Sequence, residues 1–157
     1  MRLALYQPDI PQNAGGALRL AACLGLAVDI IEPCGFLWDD KKIRRAGMDY
    51  IELATLTRHS SWDAFCQAET TGQGRLVLVS TKGAVSHTAF AFRPDDILLM
   101  GRESCGVPDS LHDSIPDRVA VPQCPGTRSL NVVTAAAIVC AEALRQTALL
   151  PVFTPTA

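Results

Sequence analysis

Residues 3–6, 27–31, 75–80, 96–100 and 118–121 form short apolar runs with strand-like composition. A half-exposed strand alternates apolar and polar residues, so runs of this kind need cover on both faces. Between several of them lie segments with helical period. After the first run, Leu18, Ala21, Ala22 and Leu24 share one stripe, with Asn13 placed to cap its start and Gly25 to end it. Ser61 is placed to cap a second helix, in which Trp62, Phe65 and Cys66 share a face. The longest helical pattern covers residues 130–146 and turns Val132, Val133, Ala136, Val139, Cys140 and Ala143 inward. This alternation predicts an α/β fold, a mostly parallel sheet flanked by helices on both faces. Such sheets bind ligands beyond the carboxyl ends of their strands, so the chemistry belongs in the loops that follow the runs.

The length of 157 residues suits one domain, expected over residues 1–150 with a short tail at 151–157. Fourteen basic against sixteen acidic residues give a net charge of −2, which excludes a generally basic nucleic-acid coat but not a local basic patch. The six cysteines show no C-x-x-C pair and no clustered histidine, so a reduced, cytoplasmic compartment without a metal centre is the expectation. The apolar run before Gln7 is too short for a secretory leader, and no later run has the length to span a bilayer. A soluble protein with no membrane partner is expected.

Three loops carry the informative residues. Gln7-Pro8-Asp9-Ile10-Pro11-Gln12-Asn13-Ala14-Gly15-Gly16 stiffens a strand-to-helix turn with two prolines and opens a helix with small residues, a ready anion site. It lacks G-x-G-x-x-G, so it is no dinucleotide fingerprint, and a plain tight turn reads the same way. Arg19 follows further along this helix, where an arginine is commonly solvated or ion-paired. Gly101-Arg102-Glu103-Ser104-Cys105-Gly106-Val107-Pro108 encloses a carboxylate, a hydroxyl and a thiol, yet lacks the G-x-S-x-G spacing of a nucleophile elbow. An ordinary surface turn with an inert thiol is its alternative reading. Pro122-Gln123-Cys124-Pro125-Gly126-Thr127-Arg128-Ser129-Leu130-Asn131 enters the long helix, with Ser129 or Asn131 as its cap. Arg128 is a positive charge at a helix start, where the dipole disfavours it, and so hints at an anionic partner.

In order and spacing, these loops resemble the three motifs of the SPOUT superfamily of RNA methyltransferases. They are most similar to the small single-domain group that methylates the wobble cytidine or uridine of tRNA on its ribose 2′-oxygen. The resemblance is carried by Pro8 to Gly15 with Arg19, by Ile31-Glu32-Pro33-Cys34-Gly35-Phe36, and by Trp38-Asp39-Asp40-Lys41-Lys42-Ile43-Arg44-Arg45-Ala46-Gly47. It continues through Thr81-Lys82-Gly83, Gly101 to Pro108, Arg128-Ser129-Leu130-Asn131 and residues 142–146.

The resemblance implies a C-terminal deep trefoil knot, S-adenosylmethionine as methyl donor, tRNA as substrate and a homodimer. Carried over residue by residue, it places the donor at Val79, Gly101, Val121, Ser129 and Leu130. The catalytic positions become Arg19, Ser129 and Asn131. A guanidinium stays protonated in proteins, so Arg19 is read as an oxyanion stabiliser or phosphate clamp and not as a base. Glu103 is read as a base or, in preference, as a holder of Asn13 or of a backbone amide. RNA phosphates are expected at Lys42, Arg44, Arg45, Arg58 and Arg128, although a charge run also serves as a plain solvated face. The inward stripe of the long helix doubles as a candidate dimer interface or an ordinary core face. The chain departs from close relatives at Arg102, where they carry proline, at Ala141, where they carry an aromatic residue, and at Leu144, where tryptophan is common. A non-catalytic RNA-binding module on the same fold is therefore the rival reading. An unrelated doubly wound nucleotide binder is weaker still, because no P-loop is present.

Overall fold

The computed structural model describes residues 1–39, 55–69 and 74–152. The element order is β1 (Arg2–Tyr6), α1 (Pro11–Leu24), β2 (Ala27–Ile31), β3 (Leu56–His59), α2 (Trp62–Glu69), β4 (Leu76–Val79), β5 (Val85–Ser86), β6 (Ile97–Met100), α3 (Asp109–Ser114), β7 (Arg118–Ala120) and α4 (Val132–Gln146). Among the described residues the strands form one sheet in the order β3-β2-β1-β6-β4-β7-β5. Every pairing between these strands is parallel. The five apolar runs are all strands. β3 and β5 were not foreseen, because β3 is the polar stretch Leu-Thr-Arg-His and β5 has only two residues.

Side-chain alternation divides the core. Leu3 and Leu5 of β1 pack with Val28, Ile30, Leu98 and Met100 against α1 and α4. Ala4 and Tyr6 point the other way, with Ile31 and Leu99, toward Phe65 of α2 and Leu111 of α3. The strands β1, β2, β4 and β6 thus bury both faces, which explains their unbroken apolar runs. The polar exception in β2 is Asp29, 1% exposed. It accepts from Arg2 Nε at 2.9 Å and pairs with His59 Nε2 at 2.7 Å, so its charge is answered within the sheet.

The helix boundaries follow local chemistry, with one correction. Pro11 opens α1, and Ile10 precedes it with no side-chain cap. Asn13 is therefore not the cap: proline's fixed φ starts the helix two residues earlier and leaves the asparagine side chain free for other partners. Gly25 closes α1 in the left-handed region at φ 69°, as expected. Ser61 Oγ accepts from Ala64 N at 3.1 Å and caps α2. Ser61→Ala should cost about 1 kcal/mol, lowering the melting temperature by roughly 2–4 °C in a calorimetric scan.

In α4, Asn131 is the cap, and its side chain accepts from Val133 N and Thr134 N. Ala136, Val139, Cys140 and Ala143 are all at or below 1% exposed. The stripe read as a possible dimer interface is thus occupied within its own chain, because α4 is needed to cover the sheet beside α1.

Candidate functional site

The loops after β1, β6 and β7 meet at the carboxyl edge of the sheet. β1, β6 and β4 lie side by side there, with β7 beside β4. The second loop is closed on itself by Arg102 N to Gly106 O at 3.0 Å and Gly106 N to Arg102 O at 2.9 Å. The turn requires glycine twice. Gly106 has φ +72°, and a Cβ on Gly101 would stand 2.8 Å from the Gly106 backbone.

The three loops are joined by side chains. Glu103 Oε2 accepts from Asp9 N at 2.7 Å, and Oε1 accepts from Asn13 Nδ2 at 3.0 Å. Asn13 Oδ1 in turn accepts from Asn131 Nδ2 at 3.0 Å, while Asn131 Oδ1 is held by the first turn of α4. Each amide's orientation is dictated by this chain of donors and acceptors. One proton on the Asn131 amide nitrogen has no protein partner among the described residues. Both Glu103 oxygens serve as acceptors, so its observed role is the holder of Asn13 and of a backbone amide.

A cavity of about 420 Å³ opens between these loops, of a size to take a ligand of nucleoside dimensions. Its walls include Val79, Gly101, Val121, Ser129, Leu130 and Asn131. All five positions assigned to the donor therefore line one cavity, with two of the three assigned to catalysis. Among the described residues, the backbone bonding from Val121 to Leu130 is a single turn, Thr127 N to Cys124 O at 3.3 Å. Polar backbone groups beside Val121 and Leu130 are thereby left for a ligand.

The remaining candidates lie elsewhere. Arg19 is exposed on α1 and does not line the cavity. It stands six positions past Asn13, about 9 Å along the helix axis. Arg58 pairs with Glu32 and stacks over Trp38 at 4.9 Å from the ring centroid. Arg128 is exposed on the loop into α4. Lys42, Arg44 and Arg45 lie outside the described residues.

Asp9 and Lys82 are site residues that motif reading did not single out for a role. Asp9 binds the second loop, and Lys82 stands at the cavity rim 3.6 Å from Asp109. The signal for Asp9 was its place, directly after a proline in a loop leaving a central strand. Among the described residues no group of histidine, cysteine and carboxylate assembles that could hold a metal ion, and no helix is long and apolar enough to cross a membrane.

Residues 1–141 match the model of the SpoU rRNA Methylase family. The chain belongs to the SpoU methylase family. One curated relative in this family is the tRNA (cytidine(34)-2′-O)-methyltransferase of Beijerinckia indica subsp. indica, 58% identical over 144 residues, covering 92% of this chain and 90% of that one. A structure solved for the 2-OH methylation of C/U34 on tRNA superposes with a TM-score of 0.87 at 40% identity, covering 92% of this chain and 94% of that one. The SpoU methyltransferase AviRb from Streptomyces viridochromogenes, solved in complex with the cofactor AdoMet, shares the fold with a TM-score of 0.81 at 24% identity. It covers 93% of this chain and 60% of that one.

The thiols of this SpoU methylase chain separate by environment. Burial pushes the Cys140 thiol up to about 12. Cys34 is pushed up to about 11, mainly by burial and then by the nearby Glu32 charge. Cys23, Cys105 and Cys124 are exposed. A raised thiol pKa means less thiolate at pH 8, and thiolate is the reacting form. A thiol-reactive disulfide reagent followed by peptide mass mapping should therefore label Cys23, Cys105 and Cys124 first, with half-buried Cys34 slower and buried Cys140 slowest.

Proposed function

We propose that this chain transfers a methyl group from S-adenosylmethionine to the ribose 2′-oxygen of the wobble cytidine or uridine of tRNA. The observation that carries this reading is the junction of three loops, Asp9 to Glu103 to Asn13 to Asn131, around a cavity with free backbone groups. The curated relative at 58% identity, whose name states 2′-O-methylation of cytidine 34 in tRNA, supports it.

The donor set fits the donor molecule. The backbone beside Val79, Val121 and Leu130 offers groups for an adenine edge, Gly101 keeps the wall free of a side chain, and Ser129 adds a hydroxyl. When bound, S-adenosylmethionine supplies a methyl on an already activated sulfonium. What remains for the protein is alignment, which can supply roughly 7–11 kcal/mol of the barrier. In this reading Ser129 and the free amide proton of Asn131 orient the attacking hydroxyl. Arg19, outside the cavity, acts on RNA as an electrostatic clamp or oxyanion stabiliser. Phosphate contacts fall to Lys42, Arg44, Arg45, Arg58 and Arg128. The anticodon loop is single-stranded, so its ribose hydroxyl is reachable without opening a duplex.

The reading includes a single domain over residues 1–150 with a short tail, the knotted C-terminal arrangement, a homodimer and a cytoplasmic location. Incubation with methyl-labelled donor and total tRNA, followed by mapping of the modified ribose, tests it. Label on the 2′-oxygen of nucleotide 34 is the expected result. Binding of tRNA with steep salt dependence and no transfer would mark a non-catalytic RNA-binding module instead.

A further inference from the structure

The carboxylate of Asp9 receives four donors from the second loop. Oδ1 accepts from Arg102 Nε at 3.2 Å and Nη2 at 2.9 Å. Oδ2 accepts from Ser104 N at 3.1 Å and Ser104 Oγ at 2.5 Å. A third arm of the same guanidinium, Nη1, lies 3.4 Å from Gln7 Oε1. Gln7 is itself a non-glycine residue at φ 46°, a conformation that costs energy and persists only where neighbours hold it. Glu103 sits beside Asp9, joined through the Asp9 amide, so two carboxylates share this junction. Arg102 supplies the positive charge that answers Asp9, 2.9 Å from Oδ1.

We propose that Arg102 is a positioning residue for methyl transfer. By binding Asp9 and Gln7 it fixes the first loop on the second, in the register where Glu103 meets Asn13 and Asn13 meets Asn131. This assignment rests on the reaction proposed above. Arg102 touches neither Asn13 nor Asn131; its influence reaches them through Asp9 and Glu103. Without it, Asp9 keeps only its two Ser104 donors and the Gln7 side chain loses its partner across the loops. The Asn13 amide then no longer presents a fixed acceptor to Asn131. The side chain that departs from the resembled pattern at this position is therefore a working part of the loop junction, and no argument for lost activity.

The test compares Arg102→Met, which keeps the stem and removes the charge and all donors, with Arg102→Lys, Asp9→Asn and the double variant. Single-turnover methyl transfer at saturating donor and tRNA should fall at least about tenfold in Arg102→Met, the size of one lost charged hydrogen bond. Arg102 lies on the cavity wall, but its guanidinium is engaged by Asp9 and Gln7, so S-adenosylmethionine affinity by calorimetry should stay within about threefold. Arg102→Lys should recover part of the rate, since an ammonium can answer Asp9 but not also Gln7. The double variant should be no slower than the worse single one, as expected for residues acting as a unit.

A readout independent of turnover is the side-chain amide resonances of Asn13 and Asn131 in the ligand-free protein, which should move in Arg102→Met. Unchanged resonances, an unchanged rate, or a rate loss matched by an equal loss of donor affinity would each overturn the assignment. Were the wild-type chain to methylate no tRNA, the reaction reading would fail, while the resonances would still decide the role of Arg102.

Discussion

Replacing Glu103 with glutamine is expected to slow methyl transfer by about 10–100-fold, nearly as much as replacing it with alanine. The substitution is close to isosteric, so packing is hardly changed. The chemistry is not. Both Glu103 oxygens accept, one from Asp9 N and one from Asn13 Nδ2. Glutamine places an amino group at one of these points, so donor faces donor and one partner is left unpaired. A hydrogen bond to a charged group contributes about 1.5–3 kcal/mol, which sets the range of the loss. The pH–rate profile separates the two roles available to Glu103. A holder leaves the profile's shape unaltered in Glu103→Gln, whereas a general base takes the acidic limb with it. Disappearance of that limb would refute the holding role.

The second large effect is on stability. A Cβ at Gly83 would stand 2.3 Å from Val119 C and 2.5 Å from both Val119 O and Ala120 N. These are backbone atoms of β7, which is held between β4 and β5 and cannot yield as a flexible side chain would. Gly83→Ala should therefore destabilise by about 3 kcal/mol, the upper part of the range for overpacking. For a chain of this size the melting temperature should fall by roughly 6–12 °C, measured by calorimetry. The damage should extend to function, because β7 leads straight into the wall residue Val121. Weaker donor binding is the expected companion. A variant that melts like the wild type would mean that the Gly83 segment and β7 separate at little cost.

The fold was legible because its strands bury both faces, and continuous apolar runs are what that requires. The same rule hid β3, an edge strand whose Thr57 and Arg58 are exposed, and β5, too short to carry a pattern. The position of Asn13 was read as a cap from its residue type, but Pro11 claims the helix start first. Its bond to Glu103, 90 positions away, was among the roles expected of that carboxylate, whereas its bond to Asn131, 118 positions away, was not foreseen. Local spacing carries no information about such pairs. The cavity residues Val79 and Val121 read as core by composition alone. Only the resemblance singled them out, and the structure then placed both on the wall of one cavity. Arg102 looked like a defect because its partner, Asp9, lies 93 positions away.

Asn131 has two employments that draw on opposite ends of one amide. Its oxygen starts the helix that covers the sheet, and its nitrogen reaches across to the first loop. Aspartate would keep the first and lose the second, serine likewise, and glutamine is a methylene too long for the cap. Under the proposed reaction, evolution on this scaffold has little freedom to trade durability against turnover at this point, since a single side chain would answer for both.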